Sequence, residues 1–177
     1  MGASVSHVMV VGGTPTQWAA RTDDEWADAA DDLGLVAAEA GARWLTLRPY
    51  GPDPGGDATV GARWTRATAA DRCTVIVDGT SDGRVEFARA AAAIPANVAV
   101  DERSIDDALY APADAEPDLI LVLGPHARLP PSLVWELAYA ELVYSDAAFA
   151  DLGPADLAAA IDEFNGRIRR FGGLDPS

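Results

Sequence analysis

The chain has 177 residues, 49% of them hydrophobic, which is enough for one substantial core and short for two domains. Its charge is lopsided: 28 acidic residues against 13 basic ones, all of them Arg, give a formal net charge of -15. Such a field repels a phosphate backbone and excludes nucleic acid as a partner, while an Asp excess without Lys suits a cytoplasm whose salt screens the self-repulsion.

Taken in chain order, the N-terminus shows no basic segment ahead of a signal-length apolar core, and no later stretch approaches a membrane span. A cytoplasmic protein with at most peripheral membrane contact is expected. His7 to Val11 is the first of four short apolar runs that read as buried strands; the others are Arg43 to Leu47, Cys73 to Val77 and Asp118 to Leu123. Gly12-Gly13-Thr14 follows the first run and has the bare backbone amides that bind anions, but not the lysine of a phosphate loop. Asp23 to Ala40 reads as an Ala-rich helix capped at Thr22 or Asp23. Pro49 to Gly61 is a loop rich in Pro, Gly and Asp. Ser81 to Ile94 and Ser104 to Tyr110 read as further helices. Pro130 and Pro131 introduce a helical run over Leu133 to Val143, and Gly153-Pro154 opens a last helix that stops at Gly172-Gly173. Arg167, Arg169 and Arg170 complement the carbonyl end of that helix.

This alternation predicts one α/β domain over residues 1–177, with a parallel central sheet covered by helices on both faces. Cys73 is the sole cysteine, so no intramolecular disulfide or cysteine-based zinc site can form. His7 and His126 have no spaced partners and read as capping or surface residues. Trp135, Tyr139, Phe164 and Ile168 stand at helical spacing and read as core or dimer-packing residues.

The run from Trp135 to Asp146, followed by Phe149, Asp151, Asp156-Leu157, Phe164, Arg167 and Arg169 to Gly173, resembles the C-terminal signature of cis-prenyltransferases, the undecaprenyl diphosphate synthase-like family. His7 to Val11 with Trp18-Ala19 resembles its opening strand, and Cys73 to Ile94 resembles a later strand, turn and helix. Between Leu47 and Cys73 the chain is short where the family builds a tunnel for the growing prenyl chain, so the resemblance implies no tunnel for a long product.

The resemblance also says which chemistry is kept. Prenyl transfer needs magnesium to neutralise a departing diphosphate and Arg forks to hold it. The family's Asp-Gly-Asn-Gly-Arg-Trp loop matches Gly13 to Trp18, which puts Gly13 at the carboxylate position and Gln17 at the Arg position. In its diphosphate clamp one Arg position is Val122, the Ser is Pro130, and Arg128 alone is retained. Glu141 matches a metal-binding Glu on the helix after Trp135, and Arg170-Phe171-Gly172 matches the terminal element that completes a partner's active site.

Erased chemistry beside a retained tail implies a non-catalytic subunit that pairs with a competent cis-prenyltransferase paralogue, or with itself, in making a polyprenyl diphosphate of dolichol or undecaprenyl type. On this reading Arg128, Arg170 and Gly172 contact prenyl diphosphates, and Trp135, Tyr139, Phe164, Arg170, Phe171 and Gly172 form the interface. Magnesium is held mainly by the partner, with Glu141 the one candidate ligand here. Two rival readings are a magnesium-dependent enzyme for short prenyl transfer, using Glu141, Asp78 or Asp118, and a homodimeric diphosphate-binding module.

Overall fold

Central strands buried on both faces need apolar side chains pointing both ways, and the unbroken run His7–Val11 meets that need by forming β1, buried at every position. The structure is a computed structural model that describes residues 5–56, 63–68 and 71–171, the last four by backbone alone. After β1 come α1 (Pro15–Ala19), α2 (Asp23–Glu39), β2 (Trp44–Arg48), β3 (Arg63–Thr68) and β4 (Cys73–Asp78). Then follow α3 (Gly83–Ala93), α4 (Glu102–Tyr110), β5 (Leu119–Leu123), β6 (Glu141–Ser145) and α5 (Pro154–Phe171). Short 3-10 turns lie at Glu136–Ala138 and Phe149–Asp151.

Among the described residues the sheet has the order β3-β4-β2-β1-β5-β6, parallel throughout except for β3, which runs antiparallel to β4. Chain order therefore moves outward from β1 through β2 and β4, then returns to the other side of β1 with β5. Val8, Val10, Leu119 and Leu121 join the core beneath α2 and α5, and Met9, Val11, Ile120 and Val122 face the opposite side with Leu133. The two-fold alternation of each strand produces this division. Ile76, Ala90, Ile105 and Leu109 form a third cluster, where α3 and α4 cover the sheet.

The helix starts follow the capping chemistry of the sequence. Thr22 and Glu25 close a capping box on α2, Asp101 and Ser104 close one on α4, and Asp82 caps α3. Gly34 lets α2 approach closely, since a β-carbon there would lie 2.1 Å from the Thr68 hydroxyl.

Three elements depart from the sequence reading. The run Leu133 to Val143 is not a helix: after the 3-10 turn the chain becomes β6, which pairs Glu141 with Leu119 and Leu123 with Ser145. Leu142, Val143 and Tyr144 have strand preference, and a free edge of β5 overrides the helical spacing of Trp135 and Tyr139. The polar run Arg63–Thr68 becomes the edge strand β3, and Pro15–Ala19 forms α1 with a Thr14/Gln17 capping box. His7 is neither a cap nor a surface residue; it is fully buried between the Ala115 carbonyl at 2.7 Å and the Thr46 hydroxyl at 2.9 Å.

Candidate functional site

In an open α/β sheet the crevice for ligands lies beyond the carboxyl ends of the strands, where strand order reverses. Here that point is the β1/β5 boundary. Gly12 N–H donates to the Arg48 carbonyl at 3.0 Å, Tyr50 N–H to the Gly13 carbonyl at 2.8 Å, and the Tyr50 hydroxyl to the Arg128 carbonyl at 3.1 Å. These bonds join the loops after β1, β2 and β5 into one rim.

The crevice is filled. Gly13 has φ +73, and a β-carbon on it would lie 2.6 Å from Cδ1 of Phe149. The Phe149 ring stacks on Trp18 at 5.9 Å and lies 6.2 Å from Trp26; the two indoles are 4.6 Å apart. Trp18 is fixed by its indole N–H, which donates to the Gly12 carbonyl at 2.8 Å. Arg21 closes the group, donating to the Phe149 carbonyl at 3.0 Å with its guanidinium 4.5 Å from the centre of that ring. Behind this aromatic plug remains a void of about 10 Å³, bounded by Val10, Leu33 and Leu47.

The amides of Thr14 and Thr16 are also spoken for. Thr14 N–H donates to the Gln17 side chain at 2.9 Å, while Thr16 N–H and hydroxyl donate to the Asp53 carboxylate at 3.1 and 2.9 Å. Hydrogen bonds from Thr14 and Thr16 hold the Asp53 carboxyl below the usual range against its slight desolvation. Gly12-Gly13-Thr14 therefore leads into a turn whose Thr14, Thr16 and Gln17 donors serve the chain itself.

The carboxylates considered for metal binding do not converge. Asp78 is buried at the carboxyl end of β4 and accepts from Arg48 at 3.0 Å and Arg63 at 2.6 Å. Burial alone raises its pKa, but the charges of Arg48 and Arg63 outweigh that effect and lower it to about 2. Asp118 sits at the opposite edge of the sheet, where its carboxylate accepts from the Ser6 and His7 amides at 2.7 and 3.0 Å. Glu141 opens β6 at the level of Leu119, which pairs on toward Val8; five residues of strand separate that level from Gly13, roughly 16 Å. It is not on a helix, and its carboxylate accepts from Arg167 at 2.9 Å. Among the described residues no group of three His, Cys, Asp or Glu is arranged to hold a metal. The described carboxylates do not form a donor set that fits magnesium.

Of the remaining site residues, Arg128 stands exposed on the loop after β5. Val122, which the resemblance sets at an Arg position, is buried in β5. Phe164 is 5% exposed and belongs to the chain's own core, which removes it from the expected interface. Trp135 is half-buried, stacks on Phe87 at 5.5 Å and donates to Asp106 at 2.6 Å, whereas Tyr139 is 65% exposed. The side chains of Arg170 and Phe171, and all of Gly172, lie outside the described residues. His126 is exposed, stacked on Tyr144 at 4.9 Å.

Sequence reasoning missed a buried ion cluster at this same edge. Arg48, 1% exposed, bridges Asp78 and Glu136 at 3.0 and 2.5 Å, and Arg63 joins Asp78 to Glu86. Burial disfavours the Arg48 charge, yet Glu136 and Asp78 together raise its pKa above the ordinary value. The signal was an Arg ending an apolar strand, in Leu45-Thr46-Leu47-Arg48.

Fold and crevice define an α/β protein with a switch-point site on the carboxyl edge of a mostly parallel sheet. More specifically, the chain belongs to the undecaprenyl diphosphate synthase family of cis-prenyltransferases, whose sequence model matches residues 59–172. It is 34% identical over 116 residues to a ditrans,polycis-undecaprenyl-diphosphate synthase of Xanthomonas campestris, covering 60% of this chain and 45% of that protein. Against an isoprenyl transferase of Bifidobacterium longum it is 29% identical over 162 residues, covering 92% of this chain and 54% of that one. The chain thus spans about half the length of the curated relatives it matches. A crystal structure of lavandulyl diphosphate synthase from Lavandula x intermedia, in complex with dimethylallyl diphosphate, shares the fold. Its TM-score is 0.61 at 16% identity, covering 92% of this chain and 95% of that one. No helix among the described residues is long and apolar enough to cross a membrane.

Proposed function

We propose that this chain is a non-catalytic subunit that supports a competent cis-prenyltransferase, itself binding neither magnesium nor an allylic diphosphate in its own crevice. One observation carries the reading: the space in front of position 13, where the family places its carboxylate, is filled by the Phe149 ring. A lost carboxylate alone leaves an open pocket; here the pocket is packed. The void of about 10 Å³ behind the ring has no room for a prenyl chain.

On this reading the partner holds the magnesium and the substrates, of which the relative's name gives farnesyl diphosphate as the priming species. The present chain contributes Arg170-Phe171-Gly172 and exposed Arg128 as diphosphate contacts, with Tyr139 and Trp135 on the docking side. An Arg fork with a following glycine suits a diphosphate, because guanidinium donates two parallel bonds and a bare amide approaches phosphate closely. The product would be a polyprenyl diphosphate of the undecaprenyl or dolichol kind, made in the cytoplasm at the membrane surface.

The test is reconstitution. Radiolabelled isopentenyl diphosphate and farnesyl diphosphate are supplied to the purified chain, to a full-length paralogue, and to both together. The chain alone should be inert, the mixture should exceed the paralogue, and Arg170→Ala should abolish the gain while leaving the circular dichroism spectrum unchanged. Elongation by the chain alone, or a paralogue indifferent to its presence, overturns the reading.

A further inference from the structure

A second concavity lies at the amino ends of the strands, on the edge of the sheet opposite the crevice. It is a pocket of about 420 Å³ between α4 and the segment leading into β5, with Arg103, Asp106, Asp107, Tyr110, Asp114 and Glu116 in its wall. Its place is fixed by the sheet: His7, the first residue of β1, bonds the Ala115 carbonyl at 2.7 Å, and Asp114 accepts from Arg43 at 3.0 Å and from the Trp44 indole at 2.8 Å. Asp114 is thereby partnered, but its neighbours meet mostly like charge. Burial, then the charges of Asp106, Glu102 and Asp118, hold the half-buried Glu116 carboxyl above its usual range. Burial, with Glu102 and Asp107, does the same for Asp106, against the bond that it accepts from Trp135 at 2.6 Å. Arg103 is exposed and contributes to neither shift. Tyr110 is only 4% exposed, yet its hydroxyl has no hydrogen-bond partner among the described residues. The buried Glu136 and Arg48 act on that hydroxyl, and so do Asp106 and Glu116 in the pocket wall.

We infer that this pocket binds a guanidinium group, presented by an arginine side chain of another protein, with Glu116 and Asp106 accepting its N–H fork and the Tyr110 hydroxyl accepting a further N–H. A buried hydroxyl without a partner costs free energy until one is supplied, and two half-buried carboxylates that repel each other are relieved by a cation. The wall does not suit a bare metal ion, since its carboxylates form no group of three arranged as ligands. A planar fork matches carboxylates two bonds at a time and fills far more of the space. Tyr139, 65% exposed and acted on by Glu102, Glu116 and Asp106, extends this acidic surface beyond the pocket, as a side chain borne on a peptide requires. A second copy of the chain, with its own charge of -15, is a poor source of that cation, so the partner is a protein with a basic contact face. The pocket is remote from the crevice, and the inference does not depend on the subunit role proposed above.

Nα-acetylarginine amide is the probe, titrated into the purified full chain at low salt. Binding is followed by two indole N–H resonances, that of Trp135, bonded to Asp106, and that of Trp18 at the crevice. The Trp135 resonance should move and saturate while the Trp18 resonance stays; a Trp135 resonance that ignores the probe, or two resonances that drift alike, overturns the site in favour of diffuse attraction to an acidic surface. Tyr110→Phe, which removes only the hydroxyl, should weaken binding about tenfold, and Glu116→Gln should weaken it by a similar factor. Glu116→Gln carries the test alone if Tyr110→Phe does not fold. It should also leave the melting temperature of the ligand-free chain unchanged or raised, because its carboxylate meets only like charges; a lowered one means that Glu116 already serves the fold and overturns the assignment. Nα-acetyllysine amide, which has the charge without the fork, should bind more weakly, and equal binding overturns the choice of guanidinium. Methylguanidinium, the same cation without peptide groups, should also bind more weakly; equal or tighter binding overturns the protein-borne source.

Discussion

Gly13 is constrained twice, by a backbone in the left-handed region and by an aromatic ring in the path of any side chain. A substituted residue therefore meets a conformational cost and an overpacking cost together. Gly13→Ala should lower stability by roughly 2–4 kcal/mol in urea denaturation, and part of that loss should vanish in a Phe149→Ala background, where the steric component is gone. Gly13→Asp alone should restore no prenyl transfer, since the carboxylate has nowhere to project. His7 makes a different kind of prediction. Burial pushes its pKa down from 6.5 to about 4, so the folded chain keeps it neutral while the unfolded chain binds a proton below 6.5. The associated stability is complete above pH 6.5 and is lost as pH falls from there to about 4, an effect of order 3 kcal/mol. Asp78 adds a second loss at lower pH, because its carboxylate, held at about 2 against burial by Arg48 and Arg63, begins to favour the unfolded state below 3.8. Urea midpoints should accordingly fall between about pH 7 and pH 5 in wild type, and His7→Gln, which cannot titrate, should flatten that slope.

Among elements, the ion cluster ties β2, β4, β3, α3 and the segment before β6 at one edge of the sheet. Arg48→Met leaves Glu136 buried without its cation and Asp78 with Arg63 alone, and should cost about 3–5 kcal/mol by denaturation. Arg66→Ala, in an exposed pair with Asp31, should leave the midpoint close to wild type. The contrast checks that burial, and not the number of charges, sets the cost. Beyond the Arg that ends an apolar strand, the cluster's pairing was not legible in advance, because its members lie far apart in sequence and meet only through the sheet order. What was legible is whatever local pattern decides. β1, β2, β4 and β5 announced themselves as apolar runs, and α2, α3, α4 and α5 through their caps and periodicity. β3 did not, being a polar edge strand defined by its pairing with β4. β6 misled, since Trp135 and Tyr139 have helical spacing and only the exposed edge of β5 makes the segment extended. At the site, Gly13 itself was readable, whereas the Phe149 ring packed against it was not, because a long-range contact leaves no local trace.

At the scale of the molecule, the charge of -15 is carried on surfaces that the fold does not neutralise. α2 opens with Asp23, Asp24 and Glu25 and continues with Asp28, Asp31 and Asp32, while no Lys exists anywhere to offset them. The first-turn acids help the helix through its dipole, but the remainder repel one another, and that repulsion is relieved on unfolding as the charges move apart. Salt therefore stabilises the folded chain by shortening the screening length, from about 30 Å at 0.01 M to about 3 Å at 1 M. The melting temperature should rise steadily over that range with sodium chloride. An equal ionic strength of guanidinium chloride, which screens but also solvates peptide and apolar groups, should raise it less or reverse the trend. The buried Arg48 pairs are shielded from solvent ions and should not respond, so the Arg48→Met deficit should stay constant across the series. A melting temperature that falls with added sodium chloride would mean that the exposed ion pairs of Arg43, Arg66 and Arg167 outweigh the acidic repulsion, and the acidic surface would then need another explanation.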